Sequence, residues 1–199
     1  ARFGKLNLKD ELEEYYDVLC ELSKAMKKGN IFVVPSNHDN FIYRYLASGE
    51  FIRDPINAVI GADLFKIGAM CRDPAEAMNV VVEEGINKIG ELPENINFLR
   101  FEDDYKIWGY QFANHGHLGH SGGKGSIKSQ EEMYGKTVSA HTHSPEVLRN
   151  AYVLGTSSRL DLSYTRGQGL KWMAANLVLC DGGFAQLLPI INGKWKMKE

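Results

Sequence analysis

The chain has 199 residues, 44% of them hydrophobic and 24% charged. That balance excludes an intrinsically disordered chain and allows one domain with a real core, or at most two small ones. A net charge of -2 argues against broad electrostatic coating of nucleic acid, although a local basic groove stays open, and no apolar run approaches the roughly 20 residues of a membrane span.

The N-terminal ARFGKLNLKDELEE is polar and unlike a secretory signal, and without an initiator Met a processed or truncated chain is expected. Cys20, Cys71 and Cys180 are far apart and form no CxxC pair, so reduced cytosolic thiols are expected rather than a zinc–thiolate site. Leu8, Leu12, Tyr15, Leu19, Leu22 and Met26 recur at three or four and predict one amphipathic helix, stopped at Gly29. Acidic residues crowd its start, and Lys24, Lys27 and Lys28 its end, as the macrodipole favours. Ile31 to Val34 is a short β-type run ending in Pro35-Ser36-Asn37-His38-Asp39, which puts polar residues just past the strand's C-terminal edge, where open α/β sheets hold ligands. Helices are predicted around 40–47, 55–70 and 74–90, with Pro74 in a first turn and Gly90 as a stop.

The second half changes character. Strands are predicted at Ile96–Phe101, Tyr105–Ala113, Thr137–Ala140, Val147–Leu154, Trp172–Cys180 and Phe184–Ile191, with Asp181-Gly182-Gly183 joining the last two as a hairpin. A helical part over 1–95 and a strand-rich part over 96–199 predict layered α and β. A doubly wound nucleotide fold fits less well, because no GxGxxG or P-loop follows a strand.

All six histidines lie in strand-end loops: His38, then His115, His117 and His120, then His141 and His143. Neutral imidazole is the commonest transition-metal ligand, and loops let several converge. If strand geometry persists through AHTH at 140–143, His141 and His143 point to one face; the alternative is a polar hairpin corner. Gly116 allows a close backbone approach. The glycine-rich run 118–126 around Lys124 reads either as a phosphate cradle or as a lid or solvent loop.

Together SNHD at 36–39, NHGH at 114–117 and AHTH at 140–143 resemble the last three motif blocks of the calcineurin-like metallophosphoesterases, with Ser36 and Ala140 in place of the usual glycines. The tail, from Leu154-Gly155-Thr156 to Lys194-Trp195, looks like phage-encoded members of that family. The family's first two blocks, DxH and GD, are not found before residue 36. The resemblance therefore implies an α/β chain forming the C-terminal part of a four-layer α-β-β-α sandwich, a single partial domain over 1–199. The missing blocks would come from an N-terminal segment or a second chain.

What the resemblance implies about chemistry is a binuclear phosphoesterase hydrolysing phosphate esters, with DNA as a candidate substrate, by a metal-activated hydroxide. Two divalent ions (Mn, Fe or Zn) would sit about 3.5–4 Å apart. By the family pattern Asn37, His115 and His141 would ligate one ion and His143 the other, while His38 would face the substrate and Asp39 would orient His38. His117, Lys124 and Arg166 are weaker candidates for substrate contact; His117 and His120 could each touch a scissile phosphate or be ordinary loop histidines, the second being favoured for His120. Arg149, Arg159 and Lys171, interleaved with Tyr152, Tyr164 and Trp172, could touch phosphates and bases, or be surface and core. The implied location is the cytoplasm, that of the host if phage-encoded, with no membrane partner and little activity without the missing blocks. The alternative is a catalytically incomplete fragment that binds nucleic acid or a partner.

Overall fold

A computed structural model of the chain describes residues 7–101, 103–158, 160 and 171–195. The protein is mixed α/β and divides into two compact units, Ala1–Phe101 and Glu102–Glu199. Among the described residues no helix is long and apolar enough to cross a membrane.

The first unit holds α1 (Leu8–Ala25), β1 (Ile31–Val33), α2 (Asp39–Ala47), a 3-10 turn at Glu50–Arg53, α3 (Ala58–Met70), α4 (Pro74–Asn87) and β2 (Ile96–Phe98). Asn7 caps α1 by accepting from the Lys9 N–H, and Asp73 caps α4 by accepting from the Glu76 N–H, with Pro74 in the first turn. Leu8, Leu12 and Leu19 of α1 enter the core with Leu46, Phe51, Leu64, Val81 and Ile86. The predicted face overruns the core, however: Leu22 and Met26 remain 46% and 43% exposed. β1 and β2 pair in parallel, Ile31 opposite Ile96.

One polar network ties this unit's N-terminal end together. Buried Asn57 accepts from the Leu8 N–H at 2.7 Å and donates to Asp54 at 2.8 Å, and the Tyr45 hydroxyl donates to the same carboxylate at 3.0 Å. The Asn57 amide, then the Tyr45 hydroxyl and the Ile56 N–H, hold the Asp54 carboxyl below its usual range against the cost of burial. Burial and the Asp54 carboxylate in turn push the Tyr45 phenol up to about 12. A carboxyl depressed on folding stabilises the fold above its unfolded value of 3.8 and loses that contribution as pH falls through the lower folded value. Urea midpoints taken at about pH 6 and about pH 2.5 should therefore differ less for Asp54→Asn than for the wild type. An equal drop in both proteins would remove Asp54 from the account of acid stability.

The second unit holds β3 (Lys106–Ile107), β4 (Tyr110–Gln111), a 3-10 turn at His120–Gly122, α5 (Ile127–Tyr134), β5 (Thr137–Ser139), β6 (Glu146–Leu148), β7 (Ala151–Val153), β8 (Ala175–Cys180) and β9 (Phe184–Pro189). The first five strands form one sheet in the order β3-β4-β5-β7-β6, with β4, β5 and β7 parallel. β8 and β9 form a separate hairpin through Asp181–Gly183, where Gly182 and Gly183 take φ of 81° and 82°.

Two predicted strands are hairpins instead. The 105–113 run folds back at Trp108 and Gly109, whose φ values of 52° and 80° make the left-handed turn that matches strand twist. The 147–154 run folds back at Arg149 and Asn150, with Arg149 at φ 50°. Helix α5 follows directly on the glycine-rich run 118–126, in a segment for which the sequence predicts no element. Its start is a reciprocal cap in which the side chains and N–H groups of Ser126 and Ser129 bond each other.

Candidate functional site

Parallel pairing of β4 with β5 puts the C-terminal ends of both strands at one sheet edge. The loops leaving that edge carry His115 and His117 after β4, and His141 and His143 after β5. The His115 carbonyl accepts from the N–H groups of Ala140 and His141, both at 3.0 Å, which locks the two loops together. His115 Nε2 and His141 Nδ1 stand 3.3 Å apart. The His117 ring lies 5.7 Å from that of His115 and 6.1 Å from that of His141.

Glycine makes this approach possible. Gly116, at φ +94°, has the Ser139 Cβ 2.8 Å from where its own Cβ would stand. A Cβ on Gly125 would meet the Gly116 carbonyl oxygen at 1.8 Å, so the glycine-rich loop closes directly onto the histidine loop, and the Gly125 N–H donates to the His117 carbonyl at 3.0 Å. Asn114 and Gln130 complete the support. The Asn114 amide donates to the Gln130 side chain, its oxygen accepts from the Gly116 N–H at 3.0 Å, and the Gln130 amide donates to the Leu118 carbonyl. Sequence reasoning gave neither residue a role. The signal that could have found Gln130 is a polar side chain on the inner face of a short helix; it is 1% exposed.

His143 departs from the strand-face expectation. β5 ends at Ser139, and His143 sits in a turn at φ 59°, so the two-residue alternation stops before it reaches His141 and His143. The His143 ring packs edge-on against Trp172 at 4.5 Å between centroids, and its carbonyl accepts from the Met173 N–H at 3.2 Å. Burial lowers the His117 pKa, which favours its neutral form. Lys124 is exposed on the loop. Arg149 pairs with Glu131, and Tyr152 stacks near Tyr110 at 5.9 Å. Arg159, Tyr164 and Arg166 lie outside the described residues.

Asn37, His38 and Asp39 belong to the first unit. His38 is exposed at the start of α2, its ring 5.3 Å from that of Phe41. The Asp39 carboxylate accepts from the Ser36 N–H at 2.6 Å and so closes the loop, while its interaction with His38 is electrostatic. Burial raises the Asp39 pKa, with Ser36 and His38 acting the other way. Both residues line a cleft of about 640 Å³ beside α1, with Tyr15, Val18 and Phe41; burial and the Asp39 charge push the Tyr15 phenol up to about 12.

Two nitrogens each about 2.0–2.1 Å from one ion, at a tetrahedral angle, stand about 3.3–3.4 Å apart. The His115–His141 spacing fits two such donors. Among the described residues no group of three or more His, Cys, Asp or Glu side chains is arranged to hold an ion by itself.

In comparisons with known proteins, 195 residues of this chain are 28% identical to Protein A1 of Escherichia phage T5, covering 96% of this chain and 34% of that protein. The chain thus spans about a third of the length of that curated relative. No family model matches the chain, and no solved structure does.

Proposed function

We propose that this chain carries the histidine-bearing part of a metal-dependent phosphoesterase of the calcineurin-like type, built as part of an α-β-β-α sandwich. The observation that supports this reading is the 3.3 Å approach of His115 Nε2 to His141 Nδ1 at the shared edge of two parallel strands. Divalent ions such as Mn, Fe or Zn, when bound, would supply Lewis-acid polarisation of a phosphoryl oxygen and a lowered pKa for water. His115 and His141 are the residues that would hold one ion. By the family pattern Asn37 would join them on that ion and His143 would hold the other, the remaining ligands belonging to the DxH and GD blocks, while His38 would give a proton to the leaving oxygen. A neutral His117 can donate one hydrogen bond and accept another at the same loop. Lys124, on the loop that Gly125 anchors, can reach toward a substrate phosphate. Likeness to a phage protein supports a phage-type chain; action in the host cytoplasm on a phosphodiester, DNA included, belongs to the same proposal.

A second reading is a module that binds nucleic acid or a partner without catalysis. It is favoured by the incomplete ligand group among the described residues. Hydrolysis of bis-nitrophenyl phosphate with Mn²⁺ separates the two. The 199-residue chain alone should be near background, and activity should appear once a segment bearing DxH and GD is supplied. Full activity from the pure chain would show that its ligand set is complete in a way this reading does not describe. No activity and no Mn²⁺ binding in the supplemented protein would leave the binding module.

A further inference from the structure

Helix α3, AVIGADLFKIGAM, is apolar nearly all round, yet only one side of it is covered. Leu64 is fully buried and Gly61 lies against the Phe51 ring, which fixes the core-facing side. On the opposite side Val59 and Met70 are each 79% exposed, with Asp63 and Lys66 exposed between them. Neither charge takes part in the ion pairs among the described residues.

The spacing of this stripe is four, three, four (59, 63, 66, 70), which keeps all four side chains on one seam, as in the repeat by which two helices pack along their length. The stripe is also symmetric on reversal. Val59 and Met70 lie equally far from the midpoint between Leu64 and Phe65, and so do Asp63 and Lys66. An identical helix laid antiparallel across a two-fold axis at that midpoint sets Val59 against Met70 and Asp63 against Lys66, twice over. Exposed Ala62 and Ala69 flank the seam and let the two axes approach closely.

We propose that the exposed face of α3 is a docking surface for a second copy of this chain, paired antiparallel through Val59, Asp63, Lys66 and Met70. Charge complementarity selects this occupant: one helix presents acid and base in the order that its own reversed copy requires, which is the condition for an isologous contact. Exposed Ile52 and Ile56, just before the helix, extend the apolar rim. A single helix pair buries less than a standard interface, so the dimer is expected to be weak, with a dissociation constant of about micromolar or above.

Sedimentation equilibrium of the 199-residue chain, from about 5 to about 300 µM, tests this directly. The mass should rise from 22.3 kDa toward twice that value. Asp63→Lys and Lys66→Asp should each weaken association at least about tenfold, because like charges then face each other. An equimolar mixture of the two variants should restore the dimer, since one copy then presents two cations and the other two anions. Circular dichroism of each variant should match the wild type, as both positions are exposed. A chain that stays monomeric throughout, a dimer indifferent to either reversal, or a mixture that fails to reassociate would each overturn the proposal. The first outcome would assign the face to some other covering surface.

Discussion

On the proposed function, His141→Ala in the chain supplied with a segment bearing DxH and GD is expected to abolish Mn²⁺ retention and, with it, phosphodiesterase activity. His141 Nδ1 is one of two nitrogens held 3.3 Å apart, so its loss leaves His115 Nε2 without its paired nitrogen. The backbone does not depend on the ring, because the bond from the His141 N–H to the His115 carbonyl survives the substitution. The variant should therefore match the wild-type melting curve when both are metal-free, while losing metal by elemental analysis. His38→Ala should behave differently. Its ring is exposed at the start of α2, and its assigned role is proton transfer, whose loss costs about 10²- to 10⁴-fold in rate. Metal content should stay near that of the wild type. Equal metal loss in both variants would show the division of roles to be wrong, and full metal retention by His141→Ala would remove the paired-histidine site.

Gly125→Ala should be the most destabilising single methyl addition in the second unit's histidine region. The added carbon would stand 1.8 Å from the Gly116 carbonyl oxygen and 2.8 Å from the Gly116 carbonyl carbon, both backbone atoms that no rotamer change can move. Relief requires the loops to part, which strains the bond from the Gly125 N–H to the His117 carbonyl. A loss of about 3 kcal/mol or more in urea unfolding is expected, in the range reserved for packing clashes in a well-ordered interior. Gly122→Ala is the control. It also adds one carbon, but nothing lies within 4 Å, and the only penalty is its φ of +75°, about 1–2 kcal/mol. Equal midpoints for the two variants would mean that Gly125 does not close onto the histidine loop.

Local patterning determined the elements that local energetics control. The period of Leu8, Leu12 and Leu19 made α1 legible, and Pro74 marked the start of α4, because side-chain spacing and backbone restriction act within one helical turn. The same reading placed His115 and His141 just past strand ends, where β4 and β5 do stop. It did not see the turns at Trp108-Gly109 and Arg149-Asn150, since Trp and Arg carry no preference for the left-handed region that those hairpins use. Nor could it see that an apolar α3 would bury Leu64 and leave Val59 and Met70 to solvent, because burial depends on which neighbours arrive. The decisive juxtaposition, His115 beside His141, joins residues 26 apart in the chain. Only the parallel register of β4 on β5, the Ser139 side chain beneath Gly116 and the Gln130 clamp on the loop bring them together. These are long-range contacts, whose energies no local window of sequence contains.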